Sequence, residues 1–252
     1  MHRFFVPSQA VAGATVTLAG ETAHQIANVL RMSPGDRICV LDNSGWQMET
    51  ELTDVQPHQV IGQVVRRSLA RGETRIKISL YQAMLRGNHL EFALQKGTEL
   101  GVIEFVPMIT ARCVIASLDD VNKKLERWRR IIQEAAEQSR RGRLPVLEPS
   151  TMFMQACERA RRTGGAFLLP WEEERETSLK DVLTASPLPF TISLFIGPEG
   201  GFTPEEVRLA KAYGARTVSL GPRLLRAETA GLLAISALLY ESGDLEPLSE
   251  EA

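Results

Sequence analysis

The sequence predicts an α/β chain in two parts: a strand-rich stretch fitting a small barrel, then a parallel sheet with helices on both faces. Three observations carry this. The first 70 residues hold several short alternating runs interrupted by one helical stretch. After about residue 73, apolar runs of strand length alternate with helical patterns. Two glycine-bearing loops leave the carboxyl ends of two of those runs, the edge at which open α/β sheets bind ligands. With 252 residues, 44% of them hydrophobic and 24% charged, the chain can bury a real core, and a disordered, collagenous or disulfide-scaffold protein is excluded.

The elements follow in order. Val11 to Leu18 alternates as a strand, and Glu21 to Arg31 carries a helical pattern. Pro34-Gly35 turns into a strand at Arg37 to Leu41. Asp42-Asn43-Ser44-Gly45 is a second turn, followed by strands at Trp46 to Asp54 and Gln59 to Arg67. Arg71-Gly72-Glu73 reads as a linker, which sets the domains at 1–72 and 73–252. Beyond it, Arg75 to Tyr81 is a strand and Asn88 to Leu100 a helix stopped by Gly101. Val102 to Pro107 is a buried strand, and Asn122 to Arg140 a long helix. Gly165 to Leu169, Thr191 to Ile196 and Arg216 to Leu220 are further strands. The segment from Ser150 to Arg162 carries no motif, and the tail from Glu241 has five acidic residues and no basic ones.

Several chemistries drop out. Cys39, Cys113 and Cys157 are far apart with no CxxC, as expected of buried thiols in a reducing compartment. The four histidines show no ligand spacing, so no metal site is expected. The N-terminus has no apolar signal core, and the longest apolar run, Gly231 to Tyr240, is too short for a bilayer; a soluble cytoplasmic protein is expected, with no membrane partner. The sequences GxxxxGK[ST], GxGxxG after a strand, and GxSxG are all absent, which disfavours a P-loop, a standard dinucleotide fold and a hydrolase elbow.

Two features remain. The first is the loop pair. Strand Thr191 to Ile196 runs into Gly197-Pro198-Glu199-Gly200-Gly201-Phe202, and Thr203-Pro204-Glu205-Glu206 then opens a helix with a capping box. The next strand ends in Gly221-Pro222-Arg223-Leu224-Leu225-Arg226, and Ala227-Glu228-Thr229 starts the last helix. Each loop could be a mere tight turn; the pair points to a ligand site. The second is charge. Lys+Arg is 29 and Asp+Glu 31, a formal net charge of -2, so any basic surface must be local. Residues 122–143 carry eight positive and three negative side chains, and Arg140-Arg141-Gly142-Arg143 has no acidic neighbour after Glu137. A solvated helix with paired charges explains the first half of this stretch; phosphate neutralisation is the better reading of the second. Lys96 and Glu99, three apart, would by themselves make a surface ion pair of little value.

Four strings carry a resemblance: Gln95-Lys96-Gly97-Thr98-Glu99-Leu100-Gly101-Val102, Glu134 to Arg141, Ile196 to Phe202, and Leu220 to Ala230. With Arg3-Phe4-Phe5 and Leu30-Arg31 before the Pro34-Gly35-Asp36 turn, they resemble the RsmE family, bacterial 16S rRNA uridine-N3 methyltransferases of the SPOUT superfamily. The resemblance covers nearly the whole chain. It implies an N-terminal PUA-like small β-barrel and a C-terminal SPOUT α/β domain with a deep trefoil knot, a rare exception to unknotted topology. It implies S-adenosyl-L-methionine as cofactor, held by Leu169, Pro170, Ile196, Gly197, Pro198, Glu199, Gly200, Gly201, Leu220, Gly221, Leu224, Leu225 and Arg226. The resemblance implies three loops that cradle it, two matching Gly197 to Gly201 and Leu220 to Arg226 and the third following the strand that ends at Leu169, near Pro170 and Trp171. It implies 16S rRNA in the small ribosomal subunit as partner, contacted by Arg3, Arg31, Lys96, Arg140, Arg141 and Arg143, and a homodimer. Methyl transfer to uridine N3 needs that nitrogen deprotonated, so Arg226 is expected to orient uridine or stabilise its anion, and Glu228 and Glu199 are lesser candidates for a base or an orienting partner. Helix capping explains Glu228 equally well. A non-catalytic ribosome-assembly factor, or an α/β enzyme acting on a small nucleotide, would share the fold without this reaction.

Overall fold

The computed structural model describes residues 1–114, 118–184 and 187–247; the end of the acidic tail lies outside them. The chain divides into two compact units, one of Met1–Glu73 with Ala136–Leu144, the other of Thr74–Ala135 with Pro145–Ala252.

The first unit is a curled six-stranded sheet. Its strands are β1 (Arg3–Phe5), β2 (Val11–Ala12), β3 (Thr15–Ala19), β4 (Arg37–Leu41), β5 (Trp46–Val55) and β6 (Gln59–Leu69), in the order β1-β4-β5-β6-β3-β2. β1 and β2 are its two edges, so the ladder does not close into a fully paired barrel. The single expected strand over Val11 to Leu18 is a hairpin, because the chain reverses at Gly13 and Ala14. The expected helix over Glu21 to Arg31 is a short α1 (Gly20–His24) continued by a π-turn at Gln25–Val29. Phe4, Val16, Leu18, Ile26, Ile38, Val40, Met48, Leu52 and Val60 form the core inside the curl. On the opposite face Phe5, Cys39 and Leu41 pack with Ala136, and Leu144 joins them. That packing is why Ala136–Leu144, which the sequence placed in the second domain, belongs to the first unit.

The second unit is a seven-stranded parallel sheet. Its strands are β7 (Lys77–Ala83), β8 (Glu104–Ile109), β9 (Val146–Leu147), β10 (Thr151–Met152), β11 (Ala166–Pro170), β12 (Thr191–Ile196) and β13 (Arg216–Val218), in the order β10-β8-β7-β12-β11-β13 with β9 on β8. Its helices are α2 (His89–Glu99), α3 (Leu118–Asn122), most of α4 (Leu125–Gln138, whose last residues from Ala136 belong to the first unit), α5 (Phe153–Thr163), α6 (Leu179–Thr184), α7 (Pro204–Ala212) and α8 (Ala227–Glu241). Both faces are covered, and the strand period of two sorts the side chains between them. Ile78, Leu80, Phe105, Leu168, Ile192, Leu194 and Ile196 face one core with α2 and α8. Tyr81, Ala83, Val106, Met108, Phe167, Leu169 and Phe195 face the other with α5 and α7.

Two helix ends depart from the sequence reading. The long helix expected over Asn122 to Arg140 is broken into α3 and α4, and α4 stops at Gln138. Arg140 sits at φ +61 and turns the chain back, so Arg140 to Arg143 is not helical. α2 ends as expected at Gly101: Val102 N–H bonds to the Gly97 carbonyl at 3.0 Å and Gly101 N–H to the Thr98 carbonyl at 3.1 Å, satisfying carbonyls the helix leaves open.

Candidate functional site

A cleft of about 630 Å³ opens at the carboxyl ends of β11, β12 and β13. Its walls are Pro170, Trp171, Glu172 and Arg175 after β11, Ile196 to Glu199 with Gly201 and Phe202 after β12, and Ser219 to Leu225 after β13. Arg226, Ala227, Glu228 and Ala230 enter from the start of α8, and His89 from the start of α2. The size suits a cofactor-sized ligand.

β12 positions the central wall because it is paired on both sides, Ile196 opposite Gln82 of β7 and Leu194 opposite Leu168 of β11. The loop after it is tied down at three points. Arg86 N–H donates to Glu199 Oε1 at 2.8 Å, Arg112 Nη1 donates to the Gly200 carbonyl at 2.5 Å, and Glu206 anchors the helix that follows. Glu206 Oε2 accepts from Thr203 N–H at 2.9 Å while Thr203 Oγ1 accepts from Glu206 N–H at 3.2 Å, the expected capping box. Glu206 Oε1 also takes Ala111 N–H at 2.7 Å. Gly201 lies at φ +68, and a Cβ there would stand 2.9 Å from Glu172 Oε1. Gly221 lies at φ +105 with open space where a Cβ would be, so it exposes backbone to the cleft at a conformation that L side chains rarely adopt.

The loop after β11 is organised by Glu174. Its carboxylate accepts from Thr217 Oγ1 at 2.5 Å, from Glu176 N–H at 2.9 Å and from Thr177 N–H at 3.2 Å. The Thr217 hydroxyl above all, then those amides, hold it down to about 2.

Four polar groups on the cleft stand unspent among the described residues. The Trp171 indole N–H is buried without a partner. The amides of Leu224 and Leu225 make none of the described hydrogen bonds. The Arg226 side chain, at the N-cap of α8, forms no described ion pair or hydrogen bond. Glu228 is 8% exposed, and its Oε1 lies 3.0 Å from His89 Nδ1.

Of the residues the sequence nominated for a cofactor, the cleft wall gathers Pro170, Ile196, Gly197, Pro198, Glu199, Gly201, Leu220, Gly221, Leu224, Leu225 and Arg226. Leu169 is off it, fully buried in the core beneath. Gly200 is off it too, facing Arg112. The sequence reading missed His89 and Arg175, and it had Arg223 within a ligand loop without nominating the side chain. A lone histidine far in sequence from its carboxylate partner leaves no periodic signal.

The nominated RNA residues separate. Arg31, Arg140 and Arg143 are exposed. Lys96 Nζ is held by Glu99 Oε1 at 2.7 Å. Arg3 spends its guanidinium inside the first unit, on Gln47 Oε1 at 3.0 Å and the Arg141 carbonyl at 3.3 Å. Arg141 is a correction. It is 3% exposed and bidentate on Glu73, Nη2 to Oε2 at 2.8 Å and Nε to Oε1 at 2.9 Å, so no phosphate can reach it.

Residues 72–239 match the family described as RNA methyltransferase domain, and 18–65 the family described as RNA methyltransferase PUA domain. The Bacillus subtilis ribosomal RNA small subunit methyltransferase E is 34% identical over 96% of this chain and 97% of its own length. The chain belongs to the ribosomal RNA small subunit methyltransferase E family. The Synechocystis member is 35% identical, with 94% of this chain and 77% of that protein covered. A Neisseria gonorrhoeae member, solved with bound S-adenosyl methionine, superposes with a TM-score of 0.85 at 32% identity, covering 95% of this chain and 97% of that one. As a member of this family the chain is an RNA methyltransferase, and the curled sheet is its PUA-like part.

Proposed function

We propose that the chain methylates N3 of a uridine in 16S rRNA of the small ribosomal subunit, with S-adenosyl-L-methionine as methyl donor. The observation that carries this reading is the Arg226 guanidinium, which has no ion pair among the described residues, at the rim of a cleft built from two glycine loops.

The cleft fits the cofactor. Its apolar walls, Ile196, Phe202, Leu220 and Leu225, suit a flat ring, while the unpartnered Trp171 N–H and the unspent loop amides suit polar ends. Pro170, Gly197 to Glu199, Gly201 and Leu220 to Leu225 would hold it. When bound, the sulfonium supplies an activated methyl with a good leaving group. What the protein must add is orientation and a deprotonated N3. Arg226 stabilises the negative charge that spreads over the uracil ring. Glu199, taken up by Arg86 N–H, holds its loop in place instead of acting as a base. Glu228, nearly buried against His89, orients that imidazole.

Exposed Arg31, Arg140 and Arg143 contact rRNA phosphates, and the enzyme works in the cytoplasm, where the subunits are. The same reading includes a homodimer, supported by Leu233 and Tyr240, which α8 leaves 43% and 77% exposed. It includes the deep trefoil knot, supported by the position of β12 between β7 and β11, two strands laid down before it. No helix among the described residues is long and apolar enough to cross a membrane.

The test is primer extension on 30S subunits from a strain lacking the enzyme, with mass spectrometry of the digest. N3 methylation removes the donor on the pairing edge, so reverse transcriptase stops there. Arg226→Ala should lower the methylation rate about 100-fold while lowering cofactor affinity by calorimetry far less. A ribose-methylated product, or a methylated base other than uracil, refutes the specificity.

A further inference from the structure

We propose that His89 is the group that takes the N3 proton from the target uridine, with Glu228 as its positioning residue. The proposal rests on the function stated above and names the base that function requires.

The geometry selects His89 by what each neighbour is already doing. The charged side chains on the cleft are His89 from α2, Glu172 and Arg175 from the loop after β11, Glu199 from the loop after β12, and Arg223, Arg226 and Glu228 from the segment entering α8. The arginines cannot accept a proton. Glu199 is committed to Arg86 N–H. Glu172 packs against Gly201, where its carboxylate fills the space a Cβ would need. Glu228 is 10% exposed at its side chain and is covered by the imidazole. His89 is 47% exposed at its side chain and faces the same cleft as Arg226.

The pair has a direction. Glu228 Oε1 stands 3.0 Å from Nδ1, and a nearly buried carboxylate at that nitrogen favours the tautomer with the proton on Nδ1. The lone pair is then on Nε2, which makes none of the described hydrogen bonds. In the step, the N3–H bond breaks, its electron pair stays on N3, and the proton forms the new Nε2–H bond. The imidazolium so made faces the Glu228 carboxylate, and the uracil anion faces Arg226. The proton then passes to water.

The experiment uses 30S subunits lacking the methyl, full-length protein, and the variants His89→Ala and His89→Gln. His89→Ala should lower the methylation rate about 100-fold, with the melting temperature and cofactor affinity of wild type. Added imidazole should restore part of the rate. Subunits with 5-fluorouridine at the target, whose N3 proton is more acidic, should show a smaller deficit. Glu228→Gln should lower kcat less than His89→Ala and keep its KM for subunits. His89→Gln, closer in size, serves if the alanine variant does not fold. A deficit that imidazole does not relieve and that is equal on both substrates overturns the proposal, as does a wild-type rate for His89→Ala from about pH 6 to about pH 9. If wild-type protein leaves no N3 methyl, the function itself fails and the base with it. If wild type methylates N3 and His89 variants match it, only the base assignment fails.

Discussion

Arg141 is closed off from solvent, its guanidinium forked onto Glu73, which also accepts Gly142 N–H at 2.9 Å and Arg143 N–H at 3.2 Å. Burial pushes the Glu73 carboxyl up, but the Arg141 hydrogen bonds and charge and those two amides outweigh it, and Glu73 sits below its usual 4.5. A pair this deep costs much to break from one side, since the partner left behind is a buried, uncompensated charge. Arg141→Met should therefore destabilise the protein by about 3 kcal/mol in urea unfolding at neutral pH. The sign of the pH dependence follows from the depressed carboxyl. Its contribution is full above the unfolded value of 4.5 and is lost as pH falls through the lower folded value. The gap between wild type and Arg141→Met should therefore narrow in acid. A gap that stays constant would show that Arg141 acts by packing alone.

Between residues and the site stands the helix cap. Thr203 closes the N-terminus of α7 and fixes where the preceding glycine loop ends, so Thr203→Ala should cost about 1 kcal/mol and lower Tm by about 2–4 °C. A Tm unchanged within error would mean that Glu206 and Pro204 set that helix start without the hydroxyl. This cap was readable in the sequence because Thr, Pro and Glu each act within one turn. β4 and β12 were readable for a related reason: Ile38 to Leu41 and Ile192 to Ile196 are buried, so their apolar runs coincide with the paired residues. α5 was missed because its buried stripe is Phe153, Ala156, Cys157 and Ala160, mostly small residues, among three arginines. The break between α3 and α4 was missed because nothing in Lys123-Lys124 distinguishes a turn from a helical face. The cleft was legible where backbone makes it, in the glycine loops, and illegible where long-range pairing makes it. His89 meets Glu228, and Arg112 meets Gly200, only through the order of strands in the sheet.

At the scale of the whole molecule the formal charge is -2, so attraction to RNA has to come from exposed cations that are not already paired within the protein. The run Arg140-Arg141-Gly142-Arg143 divides on that criterion. Arg140 is thrown outward by its left-handed φ of +61, and Arg143, though its Nη2 reaches the Ser44 carbonyl at 3.0 Å, remains exposed. Arg141, between them, is spent on Glu73. Charge neutralisation should therefore separate folding from binding within four residues. Arg140→Gln with Arg143→Gln removes up to two phosphate contacts, so the slope of log affinity for 30S subunits against log salt should fall by about two units, with the urea midpoint unchanged. Arg141→Gln should do the reverse, lowering the urea midpoint and leaving the salt slope of the folded protein as it was. Filter binding at several salt concentrations, paired with urea unfolding of each variant, measures both. A double variant that keeps the wild-type slope would move the RNA-facing surface away from this run altogether.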